Sequence, residues 1–164
     1  MDFIPIIDDI NEISPYRVMP RDKDGACLFF TTDNGLIYIV SFIRDESFVD
    51  VFNHNAYHIM FKEEDNKRDK YDNKIKQTIS AIVLCFLQRI ERIILFICDA
   101  SDSREEARNL LFNKWFNEIN YDAEYFKYDK KIAYPDCMII FSFMCHKNNP
   151  YIGNCIAAFN QHFD

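Results

Sequence analysis

Hydrophobic residues along this chain switch repeatedly between two spacings, and the switches mark its elements. Phe3, Ile6, Ile7, Ile10 and Ile13 recur at helical intervals, with Asp8, Asp9, Asn11 and Glu12 opposite them. That spacing predicts a short amphipathic arm over residues 1–15. Pro5 suits its first turn, and Ser14-Pro15 ends it. Residues 16–18, 26–32 and 36–43 read as strands. Between the last two, Asp33-Asn34-Gly35 supplies the tolerance of positive φ that a tight hairpin needs. A further strand, residues 56–62, alternates Tyr57, Ile59 and Phe61 with Ala56, His58 and Met60.

The middle of the chain changes period twice. Asp72 is a helix cap, and Ile75, Ile79, Ile82, Val83, Phe86, Leu87 and Ile90 follow at intervals of three and four. Such a helix of about 20 residues, ~30 Å, crosses a small domain and returns the chain to begin a parallel strand. That strand is Ile93 to Cys98, an apolar run short enough to be buried on both faces. After it Asp102 caps a helix and Glu105, three residues on, completes a capping box. Ala107, Leu110, Leu111, Trp115 and Ile119 supply its core-facing stripe, widened by Phe112 and Phe116. Residues 123–131 and 136–145 form a second hairpin, joined near Ala133-Tyr134-Pro135. Its second strand is almost wholly apolar and needs cover on both faces. Asn149 caps a last helix with Pro150 in its first position and Ile152, Cys155, Ile156, Phe159 and Phe163 as its buried stripe.

These elements predict an α+β fold: a mixed, mainly antiparallel sheet with a central strand-helix-strand-helix unit and helices packed on it. The expected organisation is an N-terminal arm, 1–15, and one domain, 16–164. With 49% hydrophobic residues, including 16 Phe and 9 Tyr, the chain can bury a sizeable core. A formal net charge of −7 argues against sequence-independent nucleic-acid binding, which draws on clustered Lys and Arg. Lys127, Lys130 and Lys131 are interrupted by Asp129, and neither this run nor Lys67, Arg68 and Lys70 makes a clean basic stripe. The six cysteines include no C-x-x-C pair and sit mostly in apolar segments, as small core residues of a reducing cytoplasm do. No basic leader with an apolar core opens the chain, and the longest apolar run, residues 137–145, is less than half the ~20 residues of a membrane helix.

Candidate chemistry gathers at the loop from Asp99 to Arg104, at the carboxyl end of a strand and the positive end of a helix dipole. Cys98 and Arg104 fit C-x5-R in the strand-loop-helix setting where a thiolate attacks phosphorus and an arginine holds the oxyanion. Asp99 and Asp102 weigh against that, since they place negative charge in a cradle for a dianion, and no glycine eases the loop. A buried strand-end thiol is the plainer reading of Cys98. The same two aspartates could hold Mg2+ or Mn2+, although two acids do not make a site and Asp102 already serves as the helix cap. Arg104 and Arg108 lie four apart on one helix face, a like-charge arrangement relieved by Asp99, Asp102 and Glu105 or by an external phosphate or carboxylate. His54 and His58 are four apart, but a turn or strand between them separates the rings, so a zinc site is not expected of them, and His146 is the plainer case of an exposed loop histidine.

The segments TTDNGLIYIVSF, ICDASDSREEARNLLFNKWF and NNPY with its following helix resemble a family of small uncharacterised proteins from Bacteroidota-type bacteria, classed as a domain of unknown function. The resemblance covers nearly the whole chain. It implies a single bacterial domain in which Asp99, Asp102, Arg104, Arg108 and the pair Trp115-Phe116 are family-like, and it implies no assigned activity. The expectation is therefore a non-enzymatic, acidic cytoplasmic binding or regulatory module needing no cofactor. It would meet a protein partner or a second copy through the N-terminal arm or through a ligand site at Asp99, Asp102, Arg104 and Arg108. The alternative is a phosphate-ester hydrolase or nuclease centred on the Asp99 to Arg108 loop, dependent on Mg2+ or Mn2+ or on the Cys98 thiolate.

Overall fold

The structure, a computed structural model, describes residues 4–47, 55–65, 67, 72–98, 105–120, 122–133, 135 and 138–162, leaving aside the side chains at 4, 5, 98, 105–108 and 162. Its elements are α1 (Ile4–Ile13), β1 (Val18–Pro20), β2 (Cys27–Thr31), β3 (Ile37–Arg44), β4 (Ala56–Glu63), α2 (Asn73–Leu87), β5 (Ile93–Cys98), α3 (Glu105–Ile119), β6 (Tyr125–Ala133), β7 (Met138–His146) and α4 (Ile152–His162). The strands form a seven-stranded sheet in the order β1-β2-β3-β4-β5-β7-β6. β1 with β2, β2 with β3, β5 with β7 and β7 with β6 pair antiparallel, and β4 with β5 pairs parallel. This is the mixed, mainly antiparallel α+β sheet that the hydrophobic pattern predicts, with β4-α2-β5-α3 as its strand-helix-strand-helix unit. Among the described residues no helix is long and apolar enough to cross a membrane.

The chain divides into two compact units, Met1–Ile43 with Ile59–Phe86, and Arg44–His58 with Leu87–Asp164. In the first, the arm is a packed element. Ile6, Ile7 and Ile10 are buried, and the Asn11 carboxamide fixes α1 to β1 by donating to the Val18 carbonyl at 3.0 Å and accepting its N–H at 2.7 Å. The helix ends where Ser14-Pro15 predicts. The β2–β3 hairpin turns through Gly35 at a φ of 77°, a conformation that a Cβ would strain. Tyr16 ties this hairpin to the start of α2: its hydroxyl accepts the Asp33 N–H at 3.3 Å and donates to the Asp72 carboxylate. Burial, reinforced by that second bond, pushes the Tyr16 phenol up, while the Lys74 ammonium, 2.6 Å from Asp33, holds that carboxyl down. Asp72 caps α2 by accepting the Lys74 N–H at 2.8 Å. The helix runs 15 residues, shorter than its apolar spacing predicts, because a turn closed by the Arg92 N–H on the Arg89 carbonyl leads the chain into β5.

The second unit is built around β5. Residues Ile93 to Cys98 pair antiparallel with β7 along their whole length, and Ile93 to Leu95 pair parallel with Ala56 to His58. With both edges occupied and both faces covered, Ile93, Ile94 and Leu95 are almost wholly buried, the environment their unbroken apolar run calls for.

Candidate functional site

The two faces of the β5–β7–β6 sheet differ in chemistry. On one, Ile93, Leu95, Phe143 and Cys145 meet Cys155 and Phe159 of α4 in a continuous apolar cluster. Burial pushes the thiols of Cys145 and Cys155 each up to about 12, so both are neutral and poor nucleophiles. On this face His58 lies in register with Leu95. Its Nε2 is 2.7 Å from Oδ2 of the buried Asp45, whose Oδ1 accepts the Ser47 N–H at 3.0 Å. The carboxylate orients the ring and holds a proton on Nε2 when the imidazole is neutral, so Nδ1 is the basic nitrogen.

The other face carries a polar cluster inside an apolar setting. Phe96, Ser142 and Asp129 form one row across β5, β7 and β6, and Ile94, Met144 and Lys127 form the next. The Lys127 side chain is only 4% exposed. Its ammonium donates to Asn113 Oδ1 at 2.7 Å and to the Asp129 carboxylate, and lies 5.3 Å from the centre of the Phe96 ring. Ser142 Oγ donates to the same carboxylate oxygen of Asp129 at 2.6 Å. A buried ammonium survives in such a place only when its charge is matched and its protons have acceptors, and here both conditions hold.

That requirement sets the rotation of α3. Asn113 must face the sheet to serve Lys127, and Phe112 packs edge-on against Phe96 with ring centres 5.5 Å apart. Asn109, one turn earlier on the same side, is buried at 8% exposure. Of the stripe expected to face the core, Leu110 and Leu111 are turned outward, 70% and 44% exposed, while Phe112, Trp115, Phe116 and Ile119 are half-buried. Trp115 is half-buried beside Phe112, with ring centres 6.0 Å apart. Hydrophobic spacing misreads this helix because it is apolar on more than one side, and a buried lysine decides which side goes in. Asn109 Oδ1, on the inward side, is buried and accepts no hydrogen bond from the described residues.

Of the residues singled out in the sequence, Cys98 ends β5 opposite Ile140, and Arg108 lies in α3. The side chains of both, and Asp99, Asp102 and Arg104 entirely, lie outside the described residues. Among the described residues no group of three or more His, Cys, Asp or Glu could hold a metal ion. The polar cluster went unread in the sequence, though two signals for it are there. Lys127 and Asp129 sit at alternate positions of a strand and so share a face. Ser142 is the one hydroxyl in an otherwise apolar run. Asp45 gives no comparable signal, since its partner is 13 residues away on a separate strand.

Residues 71–161, which hold α2 through nearly all of α4, match a family described as of unknown function, DUF6169. No curated protein matches the chain. A solved structure, that of a CoA-dependent acyl-homoserine lactone synthase, MesI, is similar at a TM-score of 0.37 and 9% sequence identity, over 87% of this chain and 73% of that one. So slight a likeness carries no functional argument.

Proposed function

We propose, for a chain that belongs to the DUF6169 family of unknown function, that it is a non-enzymatic binding module working through protein–protein contacts made by the outward side of α3. The observation that carries this reading is the exposure of Leu110 and Leu111, at 70% and 44%, on a helix whose opposite side is already packed on its own sheet. Two adjacent large apolar residues held in water lose free energy that a partner surface would recover, about 1.5–3 kcal/mol for each leucine fully covered. The N-terminal arm is the weaker candidate for this role, because Ile6, Ile7 and Ile10 are spent within its own unit. A reducing cytoplasm suits the module, with Cys85, Cys145 and Cys155 as free buried thiols.

A photoreactive side chain placed at position 110 of the full chain in its host tests this. The expected result is an adduct of one defined mass, whether a second copy of the chain or another protein, that does not form from the exposed position 154. Native mass spectrometry separates the two cases. A dimer that becomes a monomer in the Leu110→Lys, Leu111→Lys double variant identifies self-association. Absence of any defined adduct at 110 would remove the basis of the reading.

A further inference from the structure

In a chain of formal net charge −7, the amino end of β5 gathers positive charge. Arg44, Arg89 and Arg92 belong to one compact unit. Arg89 and Arg92 stand at the two ends of the turn that leads into β5, closed by the Arg92 N–H on the Arg89 carbonyl at 3.0 Å. Arg44 ends β3, the neighbour of β4 on the side away from β5. Tyr57 of β4 lies between them, 4% exposed and in parallel register with Ile94, two residues after Arg92. Arg44 Nη2 donates to the Tyr57 hydroxyl at 3.4 Å, and its guanidinium carbon is 5.8 Å from the centre of that ring. Arg92 is 5% exposed. Burial first, then the Arg89 charge, holds its guanidinium below the ordinary arginine value, and Tyr57 acts in the opposite sense.

Three guanidiniums gathered about one phenol repel one another, a cost that an anion between them would offset. The acids beside them in sequence are placed otherwise. Asp45 is buried and paired with His58, and among the described residues the exposed Glu46 and Glu91 make no ion pair. Neither do Arg44 and Arg89, and both are exposed, so an anion from solution can reach them. A guanidinium presents parallel N–H groups that match two oxygens of one phosphate. So small a group of cations in an acidic chain suits a single anionic group and not the backbone of a nucleic acid.

We propose that Arg44, Arg89 and Arg92 form a binding site for a doubly charged oxyanion, the phosphate group of a small phosphomonoester or inorganic phosphate itself. The site uses none of the outward residues of α3 and is independent of the partner surface proposed above.

The test is titration of the 15N-labelled full chain, at constant ionic strength and near neutral pH, with inorganic phosphate, with phenyl phosphate, and with benzoate as a singly charged control. The arginine Nε–H signals are followed by NMR. Saturable shifts at Arg44, Arg89 and Arg92 with the phosphates, and none with benzoate, are expected. Tighter binding of phenyl phosphate identifies an ester as the source of the group, and tighter binding of inorganic phosphate identifies the free ion. Arg44→Gln and Arg89→Gln, both at exposed positions, should each weaken binding by about ten-fold, the effect of one lost hydrogen bond to a charged group. In phosphate-free buffer Arg89→Gln should leave the melting temperature unchanged or raised, because it removes a like charge beside Arg92. Leu110→Lys should bind phosphate as the parent chain does, so loss of the partner adduct and loss of the anion site are read separately. Absence of saturable shifts with both phosphates, equal shifts with benzoate, or undiminished binding by either glutamine variant would overturn the assignment. So would a lowered melting temperature of Arg89→Gln without phosphate, which would show that this arginine serves an internal bond.

Discussion

Cys145 and Cys155 lie in the same apolar cluster, and burial is what pushes each thiol up to about 12. An unfolded thiol ionises near ~8.5, so between that value and about 12 the unfolded chain binds fewer protons than the folded one. Their contribution to stability is therefore constant below the unfolded value and falls as pH rises through this window. The same burial governs reactivity, because the thiolate is the nucleophile. At pH 8, iodoacetamide should label the half-buried Cys27 while leaving Cys145 and Cys155 unmodified, and both should react once urea unfolds the chain. Mass spectrometry of the labelled peptides checks this, and equal labelling of all three in the native protein would contradict the burial. His58 illustrates a different limit at this scale. The strand expected through His58 argued against a zinc pair with His54, four residues earlier, but nothing in the sequence pointed to Asp45, which orients its ring.

At the scale of the element, α3 is where sequence and structure part. Phe112 packs on Phe96 and Leu110 is 70% exposed. Phe112→Ala should cost roughly 2 kcal/mol through lost apolar burial. Leu110→Lys should change stability by no more than about 0.5 kcal/mol, as exposed substitutions commonly do. Urea unfolding of the two variants checks the rotation of the helix directly, and the reverse order of costs would place the expected stripe back in the core. Most other elements were legible because one local rule dominated each. Asp33-Asn34-Gly35 made the hairpin, Asp72 capped α2, Ser14-Pro15 stopped α1, and the apolar run from Ile93 made an interior strand, buried over Ile93 to Leu95 while Ile97, beyond the pairing with β4, is 47% exposed. In α3 the local rule offered two apolar sides and no means of choosing. The choice came from Lys127, a residue on a later strand whose need for an acceptor is a tertiary fact. The site was legible in part for the same reason: the strand alternation of Lys127 and Asp129 is local, while their meeting with Asn113 is not. The loop from Asp99 to Arg104 stays an expectation of the sequence, since it lies outside the described residues.

At the scale of the molecule, the two units are not consecutive in sequence, since Arg44–His58 belongs with Leu87–Asp164. The family match, residues 71–161, therefore omits part of the unit that contains most of it. A fragment beginning at residue 71 lacks Ala56, Tyr57 and His58, the parallel neighbours of Ile93, Ile94 and Leu95. It should show poor amide dispersion and no cooperative thermal transition, because one edge of a strand made for full burial is left open. A cooperative transition like that of the whole chain would mean that β4 is dispensable.

The apolar cluster beneath α4 also fixes the order in which the molecule can be made. Ile93, Leu95 and Phe143 obtain their cover from Cys155 and Phe159. During synthesis that face of the sheet is already oily by the time β7 has left the ribosome, and it remains so until the helix Ile152–His162 follows. The nascent chain passes through an interval in which its stickiest surface is uncovered, and it is then, before any partner or ligand is involved, that the protein is most exposed to misassembly.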